Sequence, residues 1–209
     1  MFLILLKGQR ALSERRMIKI EVNEKMRFVF NDNDTGLTLL EFWKFRYCNI
    51  FDLQEAIAEF IVAKALGKEK ADNLEYWTLY DIDYRGKRVE VKETSYYHPW
   101  NENRPISTAR YFGITKANSN YDDKEHENRY ERQNDVYVFC LNTGFTAEES
   151  YPLNLNNWEF YIVPTKTINE KCGDNKTISL VKLKKLGIEP KRYDEIKTTI
   201  DSFIKAGDV

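Results

Sequence analysis

The residues best suited to chemistry lie in Tyr80-Asp81-Ile82-Asp83-Tyr84-Arg85-Gly86-Lys87-Arg88-Val89-Glu90-Val91-Lys92, where carboxylates and a lysine recur at intervals of two on either side of an Arg-Gly pair. That alternation predicts a β-hairpin with Arg85-Gly86 as a two-residue turn. Tyr84 then faces Lys87, Asp83 faces Arg88, Ile82 faces Val89 and Asp81 faces Glu90. Side chains opposite one another on one face are about 5 Å apart at Cβ, so Asp81 and Glu90 converge. Lys92 follows two residues later on the same face, while Ile82, Val89 and Val91 point the other way into a core. Two hard oxygen ligands beside a cation suit a Mg²⁺ ion that activates a water and steadies a phosphate. Asp83 is close enough in register to compete with Asp81, which is preferred because it faces Glu90 directly. The plainer reading of the same residues is a solvated hairpin face, with ion pairs between Asp81 or Asp83 and Arg88 or Lys92.

The segment before the hairpin has to position this face. Residues 52–66 read as a helix, with Asp52 as N-cap, Glu55 completing a capping box and Gly67 at the C-terminal stop. Apolar residues cover much of its circumference, which makes Glu59, in Ala58-Glu59-Phe60-Ile61-Val62, out of place unless it has a partner. Glu55 lies one turn earlier on a similar face, a capping residue first and an alternative ligand second. Glu-x-Lys occurs at Glu90, Glu189 and Glu195, but only Glu90 follows a hairpin that carries an Asp.

Asp81 followed by Glu90-Val91-Lys92 resembles the PD-(D/E)XK, or restriction-endonuclease-like, nuclease superfamily, whose signature is an Asp at the end of one strand and Glu-x-Lys on the next. The resemblance implies that Asp81 and Glu90 hold a divalent metal, Mg²⁺ or Mn²⁺, and that the Val91 carbonyl completes its shell. It also implies that Lys92 positions or deprotonates the attacking water, and that Glu59 is the glutamate which a preceding helix contributes. The order of landmarks is similar to that of a family of bacterial proteins of about this size with a restriction-endonuclease-like core. Those landmarks are Leu40-Glu41-Phe42-Trp43-Lys44-Phe45, Tyr96, Trp100, Ile106-Ser107, Tyr111-Phe112-Gly113-Ile114, Asp135 to Cys140, Pro152-Leu153, Trp158 to Pro164 and Thr177 to Leu180; the likeness spans residues 37–190. His98 stands where that family usually has Gln. Counting by twos from Glu90 puts His98 on the active face if the strand stays regular; otherwise it is a polar strand end before Pro99.

The 209 residues suit a single domain over 17–209, with Met17 as an alternative start and 1–16 as an extension. Hydrophobic residues make up 42%, enough for a core, yet no run approaches a membrane span. Three cysteines without ligand spacing and only two histidines argue against zinc and fit reduced thiols in the cytoplasm. A net charge of −1 means that any nucleic-acid-binding face must be local. The hairpin tip (Arg85, Lys87, Arg88), then Arg104, Arg110 and Lys116, and the lysines at 182, 184 and 185 are the basic groups; the last set reads as solvated surface. Arg110, between apolar neighbours, would contact a phosphate or pair with a carboxylate inside the fold.

Further strands are expected at 17–31, 76–84, 87–97, 135–141 and 158–164. Helices are expected at 37–47, from Ser179 to Gly187, and from Tyr193 to Lys205. The polar stretch 117–133, with His126, reads as an exposed loop suited to cover a substrate. The expected fold is α/β, a restriction-endonuclease-like mixed β-sheet flanked by helices. The expected activity is metal-dependent hydrolysis of phosphodiester bonds, in DNA before RNA, and a homodimer would suit double-strand cleavage. The competing expectation is a non-catalytic module binding nucleic acid or protein on the same fold.

Overall fold

A computed structural model describes residues 23–68, 80–101, 106–118 and 130–209. The chain divides into two compact units, residues 1–48 and 49–209. In the first, β1 (Arg27–Phe30) and β2 (Asn33–Thr38) pair antiparallel across Asn31 and Asp32, both at positive φ, and α1 (Leu39–Arg46) follows. Thr38 starts α1 with a capping box: its hydroxyl accepts the Glu41 N–H at 3.1 Å, and the Glu41 carboxylate accepts the Thr38 N–H at 2.7 Å. The strand expected within 17–31 is thus β1 and the helix expected at 37–47 is α1, while residues 17–22 lie outside the described residues.

The second unit begins with a 3₁₀ turn, Ile50–Leu53, and α2 (Gln54–Ala65). The expected cap is not formed. Asn49 accepts the Phe51 N–H at 3.1 Å and caps the 3₁₀ turn, Asp52 lies inside that turn, and α2 starts at Gln54 without a side-chain cap. An Asx cap three residues earlier has displaced the signature read at Asp52 and Glu55. The helix ends as expected: Gly67 sits at φ +80° and Lys68 N–H reaches the Ala63 carbonyl at 2.9 Å, closing a Schellman turn.

A mixed sheet follows, in the spatial order β3 (Ile82–Tyr84), β4 (Lys87–Ser95), β8 (Val136–Asn142), β9 (Trp158–Pro164). Between β4 and β8 in sequence come β5 (Tyr111–Gly113), β6 (Ala117–Asn118) and β7 (Tyr130–Glu131); after β9 come α3 (Thr165–Cys172), β10 (Thr177–Ser179), α4 (Leu180–Lys185) and α5 (Ile196–Ala206). β4 and β8 are parallel and the other two pairs antiparallel. One face packs Val89, Val91, Val138, Cys140, Phe160 and Ile162 against Ala58 and Val62 of α2 and Ile196 and Ile200 of α5. The opposite face packs Phe139, Tyr161 and Val163 against Phe112, Ile168, Ile178 and Leu183. With both faces covered, β8 is buried at every residue, which is why it reads as a continuous apolar run. Ser179 caps α4 by accepting the Lys182 N–H at 3.1 Å. Among the described residues no helix is long and apolar enough to cross a membrane.

The hairpin register is the expected one. Arg85 (φ 54°) and Gly86 (φ 73°) form the turn, and the pairs are Tyr84↔Lys87, Asp83↔Arg88 and Ile82↔Val89. Arg85 is an uncommon residue at positive φ, and its side chain is anchored 3.0 Å from Asp201 of α5, which also accepts the Tyr84 hydroxyl at 2.9 Å. Three expectations need correction. β4 stops at Ser95 rather than at 97, the stretch to 133 is not exposed throughout since Arg132 and Gln133 are buried, and α3 and the β5–β10 pair were not expected. Arg132 is buried because Ile114, Asn169, Gly173 and Asn175 all accept hydrogen bonds from its guanidinium. Arg104 and His126 lie outside the described residues.

Two glycines separate backbone strain from packing. Nothing lies within 4 Å of a Cβ built on Gly86, so Gly86→Ala should cost only the left-handed strain, about 1 kcal/mol. A Cβ on Gly144 would collide with the backbone of Glu149 and Ser150, which has no flexible end to yield. Gly144→Ala is therefore expected to cost about 3 kcal/mol. Urea unfolding followed by circular dichroism measures both, and equal small losses would show that the Gly144 turn is not packed this tightly.

Candidate active site

Alternation along β4 sends Val89 and Val91 into the core under α2 and leaves Glu90 and Lys92 on the other side of the strand. The Lys92 ammonium lies 2.5 Å from Glu90 Oε1, so two neighbours on one strand face form the site's central ion pair. Asp81 is held from two directions. Its N–H donates to the Val89 carbonyl at 3.1 Å, and its carboxylate accepts the Val91 N–H at 2.6 Å. The strand ladder ends at Ile82↔Val89, so Asp81 is not Glu90's cross-strand pair as expected. Its carboxylate instead stands in for a backbone acceptor beyond the end of the ladder.

Asp83 has a different place. It faces Arg88 and accepts the Gly86 N–H at 3.2 Å, a turn-closing role at the hairpin tip. The ion pairs of the plainer reading are not those observed either, since Arg88 reaches Asp135 at 3.6 Å and Lys92 pairs with Glu90.

Glu59 and Glu55 come from α2, which packs on β4. Burial first, then the charges of Asp81 and Glu55, raise the Glu59 carboxyl to about 7. Burial also raises Asp81, against the lowering effect of the Val91 N–H and Lys92, and burial with the Asp81 charge raises Glu90. Burial alone would lower Lys92, but Glu90, Asp81 and Glu55 together outweigh it and hold the ammonium above its usual pKa. Lys92 is thus firmly protonated. Glu55 is exposed on α2 and makes no helix cap, and its charge reaches Glu59, Asp81, Glu90 and Glu93 from the edge of the site.

Glu93 is a further buried carboxylate, on the opposite face of β4 from Glu90 and Lys92, and was missed. It shares the face of Val89, Val91 and Ser95, and burial followed by the Glu55 charge raises its carboxyl to about 7, although Ser95 and Arg110 oppose the shift. Its Oε1 and both amide atoms of Gln54 are buried without a hydrogen-bond partner. The signal in sequence was a carboxylate at the next alternate position after two buried valines.

The expected substrate-side residues are only partly placed by the site. Because β4 ends at Ser95, His98 leaves the strand alternation; its Nε2 lies 3.4 Å from Ser95 Oγ and its ring stacks on Trp100. Arg110 is held inside the fold by other partners. Its guanidinium lies over the Tyr96 ring at 4.7 Å and donates to the Tyr96 and Ala109 carbonyls.

The donor chemistry fits a hard divalent cation, because several carboxylates whose charges oppose one another share a single ammonium. Among the described residues, however, no three carboxylate, imidazole or thiol groups are spaced as a ready metal site. Lys92 and the Val91 N–H occupy Glu90 and Asp81 instead. Comparison of the chain with family models, curated proteins and solved structures yields no match.

The raised carboxyls make stability depend on pH. For Glu93 the folded pKa of about 7 exceeds the ordinary 4.5, so the folded state holds this proton more tightly than the unfolded chain. The group is neutral toward stability below the unfolded value, and stability falls as pH rises through the window up to about 7. In EDTA, the melting temperature should fall between about pH 5 and pH 8, with Glu93 contributing at most about 3 kcal/mol. Glu93→Gln should flatten that fall, and an unchanged slope in the variant would show that Glu93 ionises freely.

Proposed function

We propose that this protein is a divalent-metal-dependent nuclease with a restriction-endonuclease-like core, hydrolysing phosphodiester bonds in DNA before RNA. The observation that carries the reading is the meeting of Glu59, Asp81 and Glu90 beside Lys92, three carboxyls raised by burial and by neighbouring negative charges. Such a cluster is under electrostatic tension until a cation joins it.

Asp81, Glu90 and Glu59, with the Val91 carbonyl, would hold Mg²⁺ or Mn²⁺. The ion would supply Lewis-acid polarisation of the phosphate and activation of the attacking water. Taking it up requires Glu90 and Asp81 to exchange their present partners, the Lys92 ammonium and the Val91 N–H, for the ion. Lys92 is then left to face the substrate. As a protonated group, its Nζ donates to a phosphate oxygen and to the attacking water, orienting the water and stabilising the charge that builds on phosphorus. Proton abstraction by Lys92 does not suit an ammonium that its neighbours hold so strongly charged.

The cysteines at 48, 140 and 172 are free thiols, which suits work in a reducing cytoplasm. A homodimer would bring two such sites to opposite strands. The competing reading, a non-catalytic binding module, is favoured by the Lys92–Glu90 pair, which already neutralises one carboxylate without a metal.

Cleavage of plasmid, linear and single-stranded DNA, and of RNA, with Mg²⁺ or Mn²⁺ separates the readings. Lys92→Ala and Glu90→Ala are each expected to lower cleavage at least about 100-fold, with melting profiles close to the parent. Asp81→Asn should abolish calorimetric metal binding. If both alanine variants cleave like the parent the assignment is wrong, and metal-independent oligonucleotide binding without cleavage would establish the binding module.

A further inference from the structure

Where β4 ends, the chain that carried Glu90 and Lys92 presents rings. Tyr96 stacks on Phe145 with centroids 4.6 Å apart and planes 11° apart, and His98 stacks on Trp100 at 4.6 Å and 15°. Arg110 lies over the Tyr96 ring at 4.7 Å, held by its bonds to the Tyr96 and Ala109 carbonyls. Trp100 is 64% exposed and Phe145 44% exposed, so each stack has an outer member open to solvent. The Arg110 charge also reaches Glu93 and His98, and the rings of Tyr96, His98 and Trp100 follow Lys92 directly along the chain.

Four cations of this unit are engaged. Arg85 is paired with Asp201, Arg88 with Asp135, Lys116 with Asp174 and Lys92 with Glu90, in a chain of net charge −1. Duplex binding rests mainly on neutralising phosphates, about six to ten of them for a typical site, and these four cations are committed elsewhere. Stacking requires no net charge. It does require an open base face, and inside a duplex both faces of every base are covered by its neighbours. An exposed ring can therefore stack only on an unpaired base.

We infer that the substrate strand is single, and that its unpaired bases stack on Trp100 and Phe145 beside the carboxylate–lysine cluster. This assignment deepens the nuclease reading and rests on it for the chemistry, but the binding step stands apart from cleavage. Stacking contributes about 1–3 kcal/mol per base, so two platforms with little charge contribution give modest affinity and weak salt dependence. Arg110 adds a planar cation against which a base or phosphate can settle.

The test is fluorescence anisotropy of the full chain with a labelled oligothymidine and with a duplex of equal length, in EDTA so that nothing is cut. The single strand is expected to bind at least about tenfold more tightly than the duplex. Trp100→Ala and Phe145→Ala should each weaken single-strand binding about tenfold, and Trp100→Phe should largely restore it. Neither side chain is in the core, so folding is expected to be retained, and matching circular dichroism melts check this. Duplex binding as tight as single-strand binding, or ring variants that bind like the parent, would overturn the inference. Cleavage with Mg²⁺, measured separately, tells the two failures apart: strand preference without cleavage sinks only the nuclease reading, while cleavage without ring dependence sinks only the platform.

Discussion

Once Arg85 and Gly86 both take positive φ, the hairpin between them has a single register, and that register decides which residues of β4 meet the core and which meet the substrate side. A slip by one residue would place Glu90 and Lys92 under α2 and expose Val89 and Val91. The turn is secured from outside the hairpin, because Asp201 of α5 holds both Arg85 and the Tyr84 hydroxyl. Helix α5 in turn packs through Ile196 and Ile200 into the same core as Val89 and Val91. Local turn geometry and the long-range core therefore demand the same arrangement, which is the consistency expected of a sequence that specifies one fold.

On that frame the protein maintains an arrangement that electrostatics alone would not choose. Glu59 of α2, Asp81 just before β3 and Glu90 of β4 are held beside one ammonium, and burial removes the water that would otherwise screen them. Two devices limit the tension: the Lys92–Glu90 pair, and the Val91 N–H that fixes the Asp81 carboxylate at 2.6 Å. On the proposed reading, both are contacts that a divalent ion would replace.

The parts of this arrangement that could be read in the sequence are those governed by short periodicities. Alternation about Arg85-Gly86 was enough for the hairpin, and the uninterrupted apolar runs were enough for β8 and β9. The start of α2 was misread because Asp52 and Glu55 match a capping box in spacing, whereas Asn49 caps a 3₁₀ turn ahead of them. Asp81 was placed one step too regularly, since nothing in the pattern signals that a side chain will take over from the backbone at a ladder's end. Helix α3 carries no side-chain cap and begins directly after the last residue of β9, so it lacked a start signal. Glu93 and the stacking of Tyr96 on Phe145 depend on contacts between distant segments, which spacing alone does not encode.

The low net charge, which at first weighs against nucleic acid, becomes informative once the cations are located. Arg85, Arg88 and Lys116 form surface pairs that tie the hairpin tip to α5, β4 to the start of β8, and the start of β6 to the loop before β10. Surface pairs of this kind add little stability each, but they lower the local positive potential that would steer polyanions. On the proposed reading, the carboxylate cluster supplies the chemistry and the rings at the end of β4 the recognition, and stacking on a base does not weaken as the carboxylates ionise.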